Sequence, residues 1–563
     1  MNKLIECVPN FSEGRDKNVI DQITSEIENV EGVKLLDVEP GKATNRTVVT
    51  FVGSPGEVVE AAFRAVKRAS ELIDMSKHKG EHPRMGATDV CPLVPVSNIS
   101  MEETIEYSYK LAERIGKELN IPVFCYENSA TKPERKNLAN IRSGEYEAMA
   151  SKLKDPEWKP DYGPGEFNPK SGTTAVGARD FLVAYNVNLN TTSTRRANAI
   201  TFDIREKGRV KREGHPLTGP IVKDENGDPV YIPGTLKEVK GIGWYIEEYG
   251  IAQISLNLTN ISATSIHEAF DEAYKKADAR GVRVTGSEIV GLVPLKAMLD
   301  AGKYFLRKQK RSLGVSESEL IKIAVKSMGL DELKPFNPKE KIIEYMIEDD
   351  GSERLVDMNL QEFADETASE SPAPGGGSVS SYVGSLGISL GTMVANLSSH
   401  KRGWDEYWEK YSEWAEKGQQ YKDELLKLVD EDTNAFNKII SAFGMPKGSD
   451  KEKEERQKAI NEATKYAIQV PFKVMEKSYE SMEVMKAMAE IGNPNSVSDA
   501  GVGAICARAA VMGAFLNVKI NTQGFEDKKF VDDIMKKAGE LEKNAINKEK
   551  EILDIVDKKV KEL

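Results

Sequence analysis

Apolar positions in the first third of the chain switch repeatedly between a period of two and a period near 3.6. Residues 2–8 (NKLIECV) and 33–38 (VKLLDV) read as strands. Between them Val19, Ile20, Ile23, Ile27 and Val30 recur at helical spacing. Residues 46–53 predict a further strand, about 56–75 a helix and 88–95 a strand. The order strand–helix–strand–strand–helix–strand is the ferredoxin-like pattern. A helix near 102–118, a strand at 121–126 and more helix to about Leu153 extend it. Residues 155–178, rich in Gly, Pro, Ser and Thr, predict a long loop of the kind that is functional or linking. The pattern then repeats, with a strand at 180–189, a helix from about Ser193 and a hairpin over 242–259 turning near Tyr249-Gly250. A helix at 264–280 and a strand around 282–293 complete it. Both copies end in Leu-Val-Pro, at 93–95 and 292–294, so two similar subdomains sharing a cleft are expected. Helices at 294–309 and 316–329 close this part.

From about Leu330 to Arg354 the chain is charged and carries Pro335 and Pro338, as a linker does. After Met358 strand signals disappear. Helical patterns run over 359–370, 375–399, 406–443, 451–488, 499–518 and 527–562, which together predict an all-α bundle. The expected organisation is multidomain, α+β followed by all-α. Its parts are a first subdomain over 1–178, a second over 179–329, a linker over 330–354 and a helical domain over 355–563.

Composition narrows the class. Of 563 residues 39% are apolar and 30% charged, an ordinary globular balance. A net charge of −12 speaks against nucleic acid as a partner. No unbroken apolar run reaches the roughly 18 residues of a membrane span, and Met1–Ser12 lacks a signal peptide's apolar core. Cys7, Cys91, Cys125 and Cys506 form no C-x-x-C pair, so a reduced, cytoplasmic protein is expected.

Five features carry candidate chemistry. The stretch KHKGEHPRMGA (77–87) holds His78 and His82, two of the five histidines, in a loop that Gly80, Pro83 and Gly86 keep irregular. Histidine suits proton transfer near neutral pH, and Arg84 suits a carboxylate, though solvated loop histidines would have the same composition. A zinc site is disfavoured, because Gly80 and Pro83 break the helix that would place both histidines on one face. Asp37 and Glu39 end one strand, while Asn45 and Arg46 begin the next. The loop Gly163, Pro164, Gly165, Glu166, Phe167, Asn168, Pro169, Lys170, Ser171, Gly172 permits close backbone approach to a ligand, or simply links two subdomains. Gly375, Gly376 and Gly377 precede a helix and leave N–H groups that can accept an anion, or form a tight turn. The fifth is sharper. Leu425, Val429, Phe436, Ile439 and Phe443 follow 4-and-3 spacing, and Asp432 completes that stripe. A carboxylate on a face expected to be buried is either paired or used.

The stretches CVPNFSEG (7–14), HKGEHPRMGA (78–87), GARDFLVAYNVNL (177–189), APGGGSV (373–379) and FLNVKIN (515–521) together resemble the formiminotransferase-cyclodeaminase family over essentially the whole chain. The resemblance implies two ferredoxin-like subdomains followed by an up-and-down helical bundle. It implies transfer of a formimino group from N-formimino-L-glutamate to N5 of tetrahydrofolate, releasing L-glutamate, within histidine degradation. It further implies conversion of 5-formiminotetrahydrofolate to 5,10-methenyltetrahydrofolate and ammonia. The family's transferase histidine falls on His82, its cyclodeaminase acid on Asp432 and its folate loop on 163–172. Where the family commonly has Asp, this chain has Glu39, one methylene longer, which could orient the imidazole or the amidine. Arg46 and Arg84 are candidates by charge for the glutamate carboxylates, and Gly375–Gly377 for substrate contact. Polyglutamylated tetrahydrofolate is then a cosubstrate, no metal is needed, and a homo-oligomer is expected. Formyl transfer, methenyltetrahydrofolate cyclohydrolase activity and a non-catalytic folate-binding scaffold are the competing readings.

Overall fold

The computed structural model describes residues 3–42, 44–80, 83–215, 218–348 and 354–562. Contacts divide the chain into two units, one of 1–298 with 325–350 and one of 299–324 with 351–563.

The first unit is mixed α/β. It begins with strands β1 (Leu4–Cys7) and β2 (Asn10–Phe11) and helix α1 (Lys17–Glu28). The strand expected over 2–8 is β1, and β2 follows as a separate strand beyond Pro9, which has no N–H for the ladder. Asp16 caps α1 by accepting from the N–H groups of Asn18 and Val19, and Ile20, Ile23 and Ile27 bury one face as their spacing requires. Next come β3 (Val33–Gly41), β4 (Arg46–Gly53), α2 (Pro55–Leu72), β5 (Thr88–Ser97), α3 (Met101–Glu118) and β6 (Val123–Glu127). Two short helices, α4 (Leu138–Arg142) and α5 (Glu145–Lys152), precede β7 (Thr174–Ala178). These strands form one sheet in the order β3, β4, β1 with β2, β5, β7, β6. It is antiparallel as far as β5 and parallel across β5–β7–β6. Strand β7 corrects the expectation that 155–178 is all loop. Its T-A-V-G-A sequence is a poor strand signal, and it is held by a partner on each side.

A second sheet is built from β8 (Val183–Leu189), α6 (Thr194–Ile204), a minor pair β9 (Arg209–Val210) with β10 (Tyr231–Ile232), β11 (Val239–Ile246), β12 (Ile251–Leu258), α7 (Ile266–Asp278) and β13 (Val284–Val290). Its order is β11, β12, β8, β13, antiparallel throughout. Helices α8 (Leu295–Lys308) and α9 (Glu317–Met328) follow, and the boundary between the two units falls inside both. The stretch expected as a linker carries α10 (Pro338–Lys341) and α11 (Ile343–Glu348). Ile342 there is buried and bridges Val293 beyond β13, so this segment is packed rather than free.

The second unit is helical. It contains α12 (Leu360–Thr367), α13 (Gly376–Ser399), α14 (Trp408–Gly444), α15 (Asp450–Ile491), α16 (Val497–Asn521) and α17 (Lys528–Glu562). Ser449 and Glu452 close a capping box at the start of α15. Helices α13 and α16 touch backbone to backbone. A Cβ on Gly387 would lie 2.8 Å from the Gly503 carbonyl oxygen, and one on Gly503 would lie 2.7 Å from that of Gly387. The stretch 494–521 is long and apolar enough, by length and composition, to cross a membrane, which corrects the expectation of no such segment. Half of it is buried inside the unit. Asp499, Arg508 and Lys519 interrupt it, so a search for unbroken apolar runs passes over it.

Candidate active sites

In the first unit the predicted histidine loop joins α2 to β5. His82 and its neighbour Glu81 lie outside the described residues, but the chain on either side of them is firmly held. Asn45 is the anchor on one side. It adopts a left-handed φ of 49°, which Asn tolerates better than other non-glycine residues. Its side chain accepts from Gly14 N at 3.0 Å and donates to the Lys79 carbonyl at 3.0 Å. Its own carbonyl lies 2.9 Å from His78 Nε2. Gly80 presses so closely on this turn that a Cβ would stand 2.2 Å from the Thr44 carbonyl oxygen.

On the other side Arg84 is buried. Its guanidinium donates to Glu145 at 2.8 Å and to Glu147 at 2.7 Å, and its Nε lies 3.3 Å from His78 Nδ1. Arg84 therefore holds carboxylates as its charge predicts, but they are the chain's own, and His78 is engaged at both ring nitrogens. The two predicted loops are joined directly. Ala87 N donates to the Ser171 carbonyl at 2.8 Å, Thr173 N donates to that of Met85 at 2.9 Å, and Gly86 bridges Gly172. Within 163–172 the second half is fixed. Asn168 accepts from Lys170 N and Ser171 N, Tyr146 donates to the Pro169 carbonyl at 2.6 Å, and Lys170 donates to that of Glu71 at 2.7 Å. Gly165 faces open space, Glu166 is exposed, and the Phe167 ring lies tilted against that of Tyr146, centroids 5.3 Å apart.

The predicted acid and cation lie on the first sheet, Glu39 on β3 and Arg46 on β4. Arg46 opens β4 and donates from Nε to Asn10 Oδ1 at 2.8 Å. Burial lowers its pKa to about 10, with the Asp89 carboxylate opposing and the Arg142 charge adding. A partly dehydrated guanidinium beside a neutral amide suits a substrate carboxylate. Glu39 sits opposite Val48 on β3. Burial raises its pKa, the neighbouring Asp37 raises it further, and Lys341 opposes. Gly291, just past β13, is so close that its Cβ position lies 3.8 Å from a Glu39 carboxylate oxygen.

Glu6 is a candidate the sequence reading passed over inside a plain strand. It is 4% exposed, between core residues Ile5 and Cys7, and so points to the opposite face of the sheet. Burial pushes its pKa up to about 7, helped by Glu344 and opposed by Arg179. The available signal was an acid whose two strand neighbours are both apolar. Between pH 4.5 and 7 the folded chain keeps a proton that the unfolded chain has lost. The resulting stability is complete below the ordinary glutamate range and is lost as pH rises through 7. Across this window the wild type should lose about 3 kcal/mol that Glu6→Gln retains, as read by urea titration at several pH values.

In the helical unit the glycine turn and the stripe acid meet. Asp432 of α14 accepts from Ser378 N at 3.0 Å and from Ser378 Oγ at 3.4 Å, occupying the start of α13. Gly375 is the N-cap residue and has no side chain to serve there, so a carboxylate from another helix takes the position. Burial raises the Asp432 pKa, and the two Ser378 hydrogen bonds oppose it. Asn517 of α16 adjoins, its side chain 3.3 Å from the Cβ position of Gly376. The expected buried stripe needs correction. Leu425 and Val429 are buried, but Phe436 is 43% and Phe443 55% exposed. Asp432 stands between buried Val429 and exposed Phe436 on α14 and is itself half-buried. A Cβ on Gly377 would lie 2.1 Å from Asp432 Oδ1. Gly377→Ala should therefore displace the carboxylate and cut turnover at this site on the order of a hundredfold, measured with substrate supplied directly.

Among the described residues no three of His, Cys, Asp and Glu converge so as to hold a metal ion. Residues 4–179 match the family described as formiminotransferase domain, N-terminal subdomain; 184–348 match formiminotransferase domain; and 359–540 match formiminotransferase-cyclodeaminase. The chain is 42% identical over 558 residues to a formimidoyltransferase-cyclodeaminase of Dictyostelium discoideum, covering 99% of each. It is 45% identical over 307 residues to a glutamate formimidoyltransferase of Streptococcus pyogenes serotype M1, covering 54% of this chain and 94% of that one. It is also 34% identical over 177 residues to a methenyltetrahydrofolate cyclohydrolase of Methylorubrum extorquens, covering 31% of this chain and 85% of that one.

Proposed function

The chain belongs to the formiminotransferase-cyclodeaminase family, and we propose that its two units divide one conversion of a folate-bound carbon between them. It is a bifunctional folate enzyme. The first unit transfers the formimino group from N-formimino-L-glutamate to tetrahydrofolate. N5 attacks the formimino carbon and gives up its proton, the bond to the glutamate nitrogen breaks, and that nitrogen takes a proton as glutamate leaves. His82 is the base in this reading, Glu39 orients the amidine, Arg46 takes a substrate carboxylate, and the loop 163–172 receives the folate. The observation that carries the assignment is the direct hydrogen bonding of the histidine loop to the folate loop through Ala87, Met85, Ser171 and Thr173.

The helical unit closes the ring. N10 attacks the same carbon of the protonated formimino group, its proton passes to the departing nitrogen, and ammonia leaves a 5,10-methenyl cation. Asp432, half-buried and with its pKa raised, relays that proton, while Gly375–Gly377 and Ser378 fix its position. Purified protein given tetrahydrofolate and N-formimino-L-glutamate should release glutamate, ammonia and methenyltetrahydrofolate together. Glutamate without ammonia would remove the second activity from this reading. The relative named methenyltetrahydrofolate cyclohydrolase favours one alternative for the bundle, hydrolysis of a methenyl bridge. Supplying methenyltetrahydrofolate alone and following its loss tests that alternative.

We read both sheets as ferredoxin-like, because β1 with β2 lies between β4 and β5 in the first as β8 lies between β12 and β13 in the second. We propose 1–178, 179–329, 330–354 and 355–563 as functional divisions. Homo-oligomerisation is proposed on the exposed Leu386, Met393 and Leu397 of α13 and Val502, Leu516 and Ile520 of α16. A cytoplasmic location is proposed on the free thiols of Cys7 and Cys91, buried 3.6 Å apart and unbridged.

A further inference from the structure

Asp89, the second residue of β5, is an acid with no exposed surface. Thr88 and Val90 on either side of it pair with Phe11 and Asn10, which are adjacent on β2. Asp89 is therefore the extra residue of a β-bulge, a device that re-aims a side chain. In a regular strand it would share a face with Cys91, in the core built with α1, α2 and α3. Its carboxylate meets the histidine loop and α4 instead. Oδ1 accepts from Met85 N at 3.0 Å, and Oδ2 accepts from Arg142 Nη2 at 2.6 Å. Arg142 supplies the opposite charge that a fully buried carboxylate requires.

Met85 is fully buried and fastens the histidine loop three residues beyond His82. Its carbonyl accepts from Thr173 N at 2.9 Å, so the segment after the folate loop is tied to the same residue. Next to it Ser12 holds Gly86 and Ala87, donating from Oγ to the first carbonyl at 2.7 Å and from N to the second at 2.8 Å. Those bonds join neutral groups, whereas the bond from Met85 N to a carboxylate is charge-assisted and roughly twice as strong. The same carboxylate acts on Arg46. Its charge favours the guanidinium, while that of Arg142 opposes it. A negative group there also weakens the pull of Arg46 on a substrate carboxylate.

We propose that Asp89 is a positioning residue of the formimino transfer: from its bulge it holds the histidine loop through Met85 and sets the charge balance around Arg46. The proposal rests on the transferase reading above. The test is steady-state glutamate release by the full-length protein, with N-formimino-L-glutamate varied at saturating tetrahydrofolate, for wild type, Asp89→Asn and Arg142→Gln. An asparagine offers one acceptor oxygen where Asp89 serves two donors, and it carries no charge. Asp89→Asn should lower kcat about tenfold to a hundredfold as the loop shifts. It should also lower KM about threefold, because Arg46 then pulls harder on its carboxylate. Arg142→Gln keeps the bond between Asp89 and Met85 but removes a cation, so kcat should stay within about threefold while KM rises. An ion pair that served only the fold would move both variants the same way. That result, or a raised KM in Asp89→Asn, overturns the proposal. Should Asp89→Asn not fold, Arg142→Gln decides: a raised KM with kcat kept supports the proposal, and a collapsed kcat overturns it. A wild type that releases no glutamate sinks the transferase reading instead. Deuterium exchange then decides Asp89: Met85 N should exchange faster in Asp89→Asn and at the wild-type rate in Arg142→Gln, and unchanged exchange in both overturns the anchor.

Discussion

Asp432→Asn should abolish ammonia release while glutamate release continues. The substitution is nearly isosteric, and an asparagine oxygen can still accept from Ser378 N, so the start of α13 keeps its partner. What is lost is the group that takes a proton from N10 and returns it to the leaving nitrogen. General acid–base contributions of this kind amount to about a hundredfold to ten-thousandfold in rate. The intermediate should accumulate as 5-formiminotetrahydrofolate. The pH profile of the wild type carries a second signature. Burial raises the Asp432 pKa, so the ionised base forms at higher pH than for an ordinary aspartate. Cyclodeamination should rise with pH along a limb displaced above the usual aspartate range, and the Asn variant should lose that limb. Residual ammonia release within tenfold of wild type would put the proton relay on another group.

His82→Ala should have the opposite selectivity, cutting glutamate release by about a hundredfold to ten-thousandfold. Ammonia release from supplied 5-formiminotetrahydrofolate should stay intact. The case rests on what surrounds the position. Lys79 and His78 are tied to Asn45, and Arg84 and Ala87 to the helix α5 acids and the folate loop. His78 cannot stand in for His82, because its ring nitrogens already meet the Asn45 carbonyl and Arg84 Nε. Rate assays of both half-reactions on one preparation check this. If glutamate release survived, Glu6 would be the next group to substitute.

The local code carried most of the helical unit. Helical spacing marked its helices, so the predicted and observed helices nearly coincide, and the capping box of Ser449 with Glu452 starts α15 one residue before the expected 451. Asp432 was legible because a single acid in an apolar stripe breaks a rule. Its accessibility was not, because periodicity says which residues share a face and nothing about where the opposing surface ends. Strand β7 was illegible for a related reason: Thr174–Ala178 is made of small residues and is a strand only because β5 and β6 flank it. The partners of Arg84 were equally hidden. Glu145 and Glu147 lie some sixty positions away, and no spacing rule connects them to it. Glu6 and Asp89 depend on burial, which appears only once the chain is folded.

The interleaving of Met85–Ala87 with Ser171–Thr173 bears on how the first unit breathes. Amide protons in the two segments bond to each other's carbonyls, so neither strip can lift away alone. They should exchange with solvent deuterium as one cooperative patch, with a common opening rate. Gly163–Phe167, without such ties, should exchange fast and independently. A ligand that settles on the free half pays ordering entropy only there, because the half bonded to Met85–Ala87 is ordered before it arrives.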